Sequence, residues 1–321
     1  MDNLSYISPA ERFLVYFLFY SPAIFAFIFG TVIGSLSNVI IHRIVYYRSI
    51  WSPPSHCGSC GTEIHGKRNI PLVSYLSLRG KCPDCGTKFS SRYFWIELMS
   101  GMLYAMIVLY VYTLPQPQGL GLSIGEMLTM KFEDGFPPTF MVDFFGLMMI
   151  FKGFVFCTLL LILTAIDLDH KLLPDRLTVA GIILGIVLFW VVPSGPERLG
   201  WFSGMDGWWV GILDTLVKMA LGLLVGGGIL YLIAMAVPGG MGGGDILLLA
   251  MIGAFIGIRA LGPAMFIGFV LGGLIGAVLM IFGIVKRRSF IPFGPFLAAG
   301  GLVGFLYGEQ LWSLYSRNFN S

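Results

Sequence analysis

Long apolar runs separated by short charged stretches set the pattern of this chain. A transmembrane helix needs about 20 mostly apolar residues, somewhat fewer where protein shields it. Eight stretches qualify: Phe13 to Ile41, Phe94 to Tyr112, Met141 to Ile166, Leu177 to Val192, Gly211 to Val237, Ile246 to Ile258, Ala260 to Val285 and Ile291 to Tyr307. The sixth is short enough to be a partial helix. The first exceeds a signal-peptide core and no convincing cleavage site follows it, so it is expected to be a retained helix. Leu114 to Pro138, rich in Pro and Gly, reads as an exposed excursion without chemistry. No internal repeat or long low-complexity run stands out.

Composition agrees with the pattern. Of 321 residues, 56% are hydrophobic and 12% charged, against roughly 25% charged in soluble domains. No single aqueous core can hide that much apolar surface, which excludes an ordinary soluble enzyme, a disordered chain and a disulfide scaffold. The 43 glycines suit close helix packing in a membrane. A net charge of +3 gives no reason to expect nucleic acid as a partner. The expected fold is an all-α polytopic membrane protein of about eight transmembrane helices, with the lipid bilayer as its solvent and a small cytoplasmic metal-binding domain.

Orientation follows from Lys and Arg. Between the first two apolar runs lie Arg43, Arg48, Lys67, Arg68, Arg79, Lys81, Lys88 and Arg92 against Glu63 and Asp84, so this loop is expected to be cytoplasmic. Alternation puts Lys171, Arg176, Lys286, Arg287 and Arg288 on the same side, and Glu126, Glu133 and Asp134 outside.

That loop carries two CxxC pairs, Cys57 with Cys60 and Cys82 with Cys85. The spacing can aim four thiolates at one tetrahedral ion, with glycine where each knuckle turns. Disulfides are disfavoured in a reducing compartment. Four thiolates leave no position for water, so the expected role is structural zinc. His56 and His65 lie near enough in sequence to be considered as substitutes, and Cys157, inside an apolar helix, reads as a small core residue.

Carboxylates at a membrane boundary are costly and require an account. Asp167, Asp169 and Asp175 lie in AIDLDHKLLPD, where Pro174 stops the third run, and Asp245 ends PGGMGGGD at the same expected depth. Two such groups within hydrogen-bond range share one proton, giving a general base and a general acid for attack by water. Asp167 and Asp169 are two apart, about 200° around a helix, so one of them faces inward; Asp167 is the deeper. The alternative is an N-cap at Asp245 and solvated boundary charges elsewhere. Asp214 and Lys218 are expected to pair, Lys152 needs a partner or polar cavity, and Glu97 either lines a polar site or pairs with a basic loop residue.

These residues together resemble the type IV prepilin peptidases (prepilin leader peptidase/N-methyltransferases), membrane aspartic proteases of the GxGD class. The matching segments are GSLSNVIIHR at Gly34 to Arg43, the two CxxC pairs, NIPLVSYLSLRGKC at Asn69 to Cys82, SRYFWIEL at Ser91 to Leu98, IDLDHKLLPDRLT at Ile166 to Thr178 and GGGD at Gly242 to Asp245. The resemblance implies cleavage of the basic leader from prepilins and pseudopilins of type IV pilus and type II secretion systems, at the cytoplasmic face of a bacterial inner membrane. It carries the catalytic aspartates onto Asp167 and Asp245, and implies S-adenosylmethionine-dependent N-methylation of the new amino terminus. Its expected organisation is a first transmembrane helix at 1–41, a four-Cys domain at 42–93 and a protease domain at 94–321 with an outer loop at 113–140. A proton-coupled transporter using Asp167 and Asp245 as ion-pathway groups is the competing reading, but it leaves the cysteines without a role.

Overall fold

The computed structural model of the chain describes residues 9–49, 52, 54–64, 66–113, 144–191, 208–236, 242–284 and 292–319. The expected outer loop beyond Thr113, and His65, Lys286, Arg287 and Arg288, lie outside the described residues. The helices are α1 (Pro9–Ile44), α2 (Val73–Ser77), α3 (Arg92–Thr113), α4 (Phe144–His170), α5 (Asp175–Val191), α6 (Trp208–Ala236), α7 (Gly243–Ile281) and α8 (Gly294–Phe319). Among the described residues, five segments are long and apolar enough to cross a membrane: Tyr20–Ile44, Arg92–Thr113, Gly146–His170, Trp209–Ala236 and Gly243–Ile281.

The expected sixth and seventh stretches are two parts of α7. Gly257 interrupts its helical geometry with φ 74° and ψ 174°, a conformation open to glycine. The portion before this break is too short, at about 1.5 Å rise per residue, to cross a hydrocarbon core of about 30 Å.

Backbone contacts group Met1–Thr158 and Leu159–Ser321 as two compact units, the division falling inside α4. In the first, α1 and α3 run antiparallel. Gly34 on α1 faces Glu97 and Ser100 on α3 so closely that a Cβ would lie 2.7 Å from Glu97 Cα, and one turn along α1 Asn38 Nδ2 donates to Tyr93 O at 3.1 Å. Small residues permit this approach where lipid supplies no hydrophobic drive for association. Tyr104 stacks on Phe154 with ring centroids 3.9 Å apart, and its hydroxyl shares a 2.8 Å hydrogen bond with Thr158.

In the second unit α7 is the hub on which α5, α6 and α8 pack. Its contact with α6 is a backbone approach between Gly253 and Gly222. Asp214 and Lys218 of α6 form the expected pair, 2.7 Å apart and buried. Pro174 ends the excursion after α4 and starts α5, its carbonyl accepting the N–H groups of Leu177 and Thr178 and the Thr178 hydroxyl.

Candidate active site and metal centre

The loop between α1 and α3 contains two turns of the same construction. Cys57 N–H donates to Thr62 O at 2.9 Å and Cys82 N–H to Thr87 O at 2.8 Å. Gly61 and Gly86, each at φ 72°, return an N–H to the first cysteine's carbonyl at 2.9 Å in both turns. Cys60 and Cys85 each lie 3.3 Å from a threonine hydroxyl, Thr62 and Thr87. In sequence the two turns share the CxxC pair and the Gly-Thr that follows it.

The turns face one another. Cys57 and Cys85 Sγ are 3.8 Å apart, Cys60 and Cys82 Sγ 3.9 Å, and all four sulfurs lie within 4.8 Å of one another. A tetrahedral ion with metal–sulfur bonds of about 2.3 Å sets an S···S edge of about 3.8 Å, so the donor set fits one such ion. All four thiols are free. Thiol hydrogen bonds divide the set. The Cys60 and Ser59 backbone N–H groups hold Cys57 below the ordinary thiol value, and Thr62 and Thr87 do the same for Cys60 and Cys85. At Cys82 the backbone N–H groups of Cys85 and Asp84 pull downward, but desolvation and hydrogen bonds from Cys85 and Cys57 push the value up to about 11. His56 instead meets the Pro54 carbonyl through Nδ1 at 3.1 Å.

The boundary carboxylates separate by burial. Asp167 is 4% exposed and Asp245 6%, while Asp169 and Asp175 are exposed. Asp167 closes α4; Asp245 lies in the first turn of α7, where its carboxylate accepts the N–H of the N-cap residue Gly242. An anion in this position interacts favourably with the free N–H groups of the helix start. The segments bearing them meet. A Cβ on Gly244 would lie 2.6 Å from Leu173 Cβ in the loop after α4, and Asp245 is near enough to feel the charge of Asp167.

A third segment completes the site. Gly294, at the start of α8, donates its N–H to Asp167 Oδ2 at 2.9 Å, and a Cβ there would lie 2.6 Å from the same oxygen. Only glycine allows the backbone so close. Sequence reasoning missed this residue; the available signal was proline on both sides of a Phe-Gly step at a helix start, Pro292 and Pro295. Glu97 was expected to meet a basic loop residue or a polar site. It accepts the Leu72 backbone N–H at 2.8 Å.

Residues 28–111 match the family described as Bacterial Peptidase A24 N-terminal domain, and residues 154–281 match the Type IV leader peptidase family. The chain is 31% identical over 291 residues to the prepilin leader peptidase/N-methyltransferase of Bacillus subtilis, covering 91% of this chain and 96% of that protein. The proteins of the same name from Stutzerimonas stutzeri and Neisseria gonorrhoeae are 28% and 29% identical, over 94% and 97% of this chain and 97% and 96% of theirs. No solved structure matches the chain.

Proposed function

The chain belongs to the type IV leader peptidase family, and on that premise we propose that it removes the leader from prepilins and pseudopilins and N-methylates the amino terminus so exposed. The observation carrying the peptidase assignment is a pair of buried carboxylates, Asp167 and Asp245, far apart in sequence, on segments that touch where Gly244 approaches Leu173. In this reading they hold the attacking water between them and share one proton. The ionised member takes a proton from water as it attacks the scissile carbonyl while the protonated member gives its proton to the carbonyl oxygen; on collapse the first passes the water's proton to the leaving amine and the second recovers a proton from the tetrahedral intermediate's hydroxyl, restoring the shared proton. Gly294 N–H fixes the orientation of Asp167 throughout.

The basic loop between α1 and α3 supports a cytoplasmic site. A pilin helix would approach through the bilayer, its scissile bond just outside the apolar stretch, where unwinding the backbone is cheap. The four cysteines would hold zinc as a clamp for a loop too short to fold on its own core. S-adenosylmethionine supplies the methyl group in the second step; among the described residues no strand–turn–helix cradle of the Rossmann kind exists to hold it. The transporter reading gains nothing from the relatives.

The test is purified full-length protein in detergent, mixed with a prepilin and labelled S-adenosylmethionine. Shortened, labelled pilin without any ion gradient is the expected result. Intact prepilin would overturn the peptidase assignment, and unlabelled cleaved pilin the second activity.

A further inference from the structure

The end of the α1–α3 pair that adjoins the four-cysteine loop contains a buried carboxylate without a cationic partner among the described residues. Glu97 is 9% exposed. Its two hydrogen-bond donors are neutral, the Leu72 N–H at 2.8 Å and the Ser35 hydroxyl. Two further oxygens nearby are buried and unpartnered, Asn38 Oδ1 and Ser100 Oγ, in residues 3% and 1% exposed. Asn38 is oriented by its bond to Tyr93 O, one helical turn before Glu97 on α3, and Ser100 lies about one turn beyond. Both therefore flank the carboxylate along the same seam.

The cover over this seam is strained. Leu72 has φ 61° and ψ −51°, and Val73 N–H donates across it to Pro71 O at 2.6 Å. This is the rare form of the γ-turn, which a leucine adopts only when its surroundings impose it. Here it aims the Leu72 N–H at Glu97. Strained backbone, buried charge and orphaned acceptors concentrated within two turns are features of a ligand site rather than of a helix seam.

The chemistry selects the ligand. The unfilled oxygens of Asn38 and Ser100 can accept and Glu97 is a carboxylate, whereas Arg92 Nε at the start of α3 is a donor; the complement of the three oxygen-bearing groups is a cation with several N–H donors. A primary ammonium carries three; a sulfonium carries none. We propose that Glu97, Asn38 and Ser100 form the receptor for the free α-ammonium group of the processed substrate, with the Glu97 carboxylate taking the proton whose loss frees the nitrogen lone pair that methylation requires. This rests on the N-methyltransferase reading above and supplies it with a location. The site lies within two turns of the helix ends, the depth at which an apolar substrate helix would begin.

The test uses the full-length protein in detergent without methyl donor. Competing ligands are a synthetic peptide of the mature amino-terminal pilin segment and its N-acetylated form. Wild type should bind the free amine at least tenfold more tightly. Glu97→Gln, which keeps an acceptor for Leu72, should abolish that preference, and Ser100→Ala should reduce it. With donor and intact prepilin, Glu97→Gln should lower methylation per cleaved chain at least tenfold. Equal binding of both peptides by wild type, or an unchanged preference in Glu97→Gln, overturns the receptor, as does equal loss of cleavage and methylation. Wild type that cleaves but never methylates overturns the N-methyltransferase reading itself, and the receptor with it.

Discussion

Gly294 and Asp167 are 127 residues apart, yet the N–H of one is bonded to the carboxylate of the other at 2.9 Å in a buried setting. The donor belongs to the first turn of α8, where backbone N–H groups have no partner within the helix. An aspartate at the C-terminal end of its own helix thus rests against the N-terminal end of another, replacing an unfavourable dipole with a favourable one.

Gly294→Ala is expected to lower leader cleavage. The new Cβ must displace the carboxylate or the α8 start, and a hydrogen bond to a charged group is worth about 1.5–3 kcal/mol, or about ten- to hundredfold in rate. Cleavage kinetics measured beside the melting temperature decide this: wild-type turnover in a folded variant would show that the bond does not position Asp167.

Asp167→Asn and Asp245→Asn should each abolish cleavage in an inserted, folded protein. Asp169→Asn, altering an exposed side chain, should stay within about twofold of wild type. Activity retained in either of the first two would remove the water-activating role assigned to the pair.

Elemental analysis should find one zinc per chain, and none when Cys57, Cys60, Cys82 and Cys85 are all serine. Binding of about 10–16 kcal/mol is typical of structural zinc coupled to folding, so a chelator should open the loop to proteolysis. In metal-free protein near neutral pH, iodoacetamide should modify Cys60 and Cys85 first. These are exposed and sit below the usual thiol range. Cys82, buried and raised to about 11, should react last. Peptide mapping of a time course reads the order.

Gly257→Ala should destabilise the protein by about 1–3 kcal/mol, because alanine resists φ 74°. The added Cβ would also meet the Phe189 ring at 2.9 Å. A denaturation midpoint equal to wild type would mean the break in α7 relaxes without cost.

Asp214→Leu or Lys218→Leu alone should cost about 3–5 kcal/mol by leaving a buried charge, whereas the double leucine variant should recover most of it. Thermal denaturation of the four proteins forms the cycle; additive losses would mean the 2.7 Å pair is not coupled.

Much of the architecture was legible in one dimension. A span needs only local hydrophobicity, so the helices fall where the apolar runs lie, and Gly257 breaks α7 close to the expected boundary between Ile258 and Ala260. Asp167 turns inward and Asp169 outward, as a separation of two residues on a helix requires. Glu97 was recognised as needing an account, but its partner, a backbone N–H presented by a strained turn, leaves no trace in residue identity.

By itself the sequence determined what short-range chemistry determines: which stretches prefer lipid, which cysteines are spaced to share an ion, and which carboxylates sit at a boundary. Tertiary structure alone decided that Gly294 meets Asp167, that Gly244 rests on Leu173, and that the Leu72 N–H turns to Glu97. The physical reason is that hydropathy and chelate spacing act along the chain, whereas a hydrogen bond or a backbone approach of a few ångströms depends on how distant helices pack.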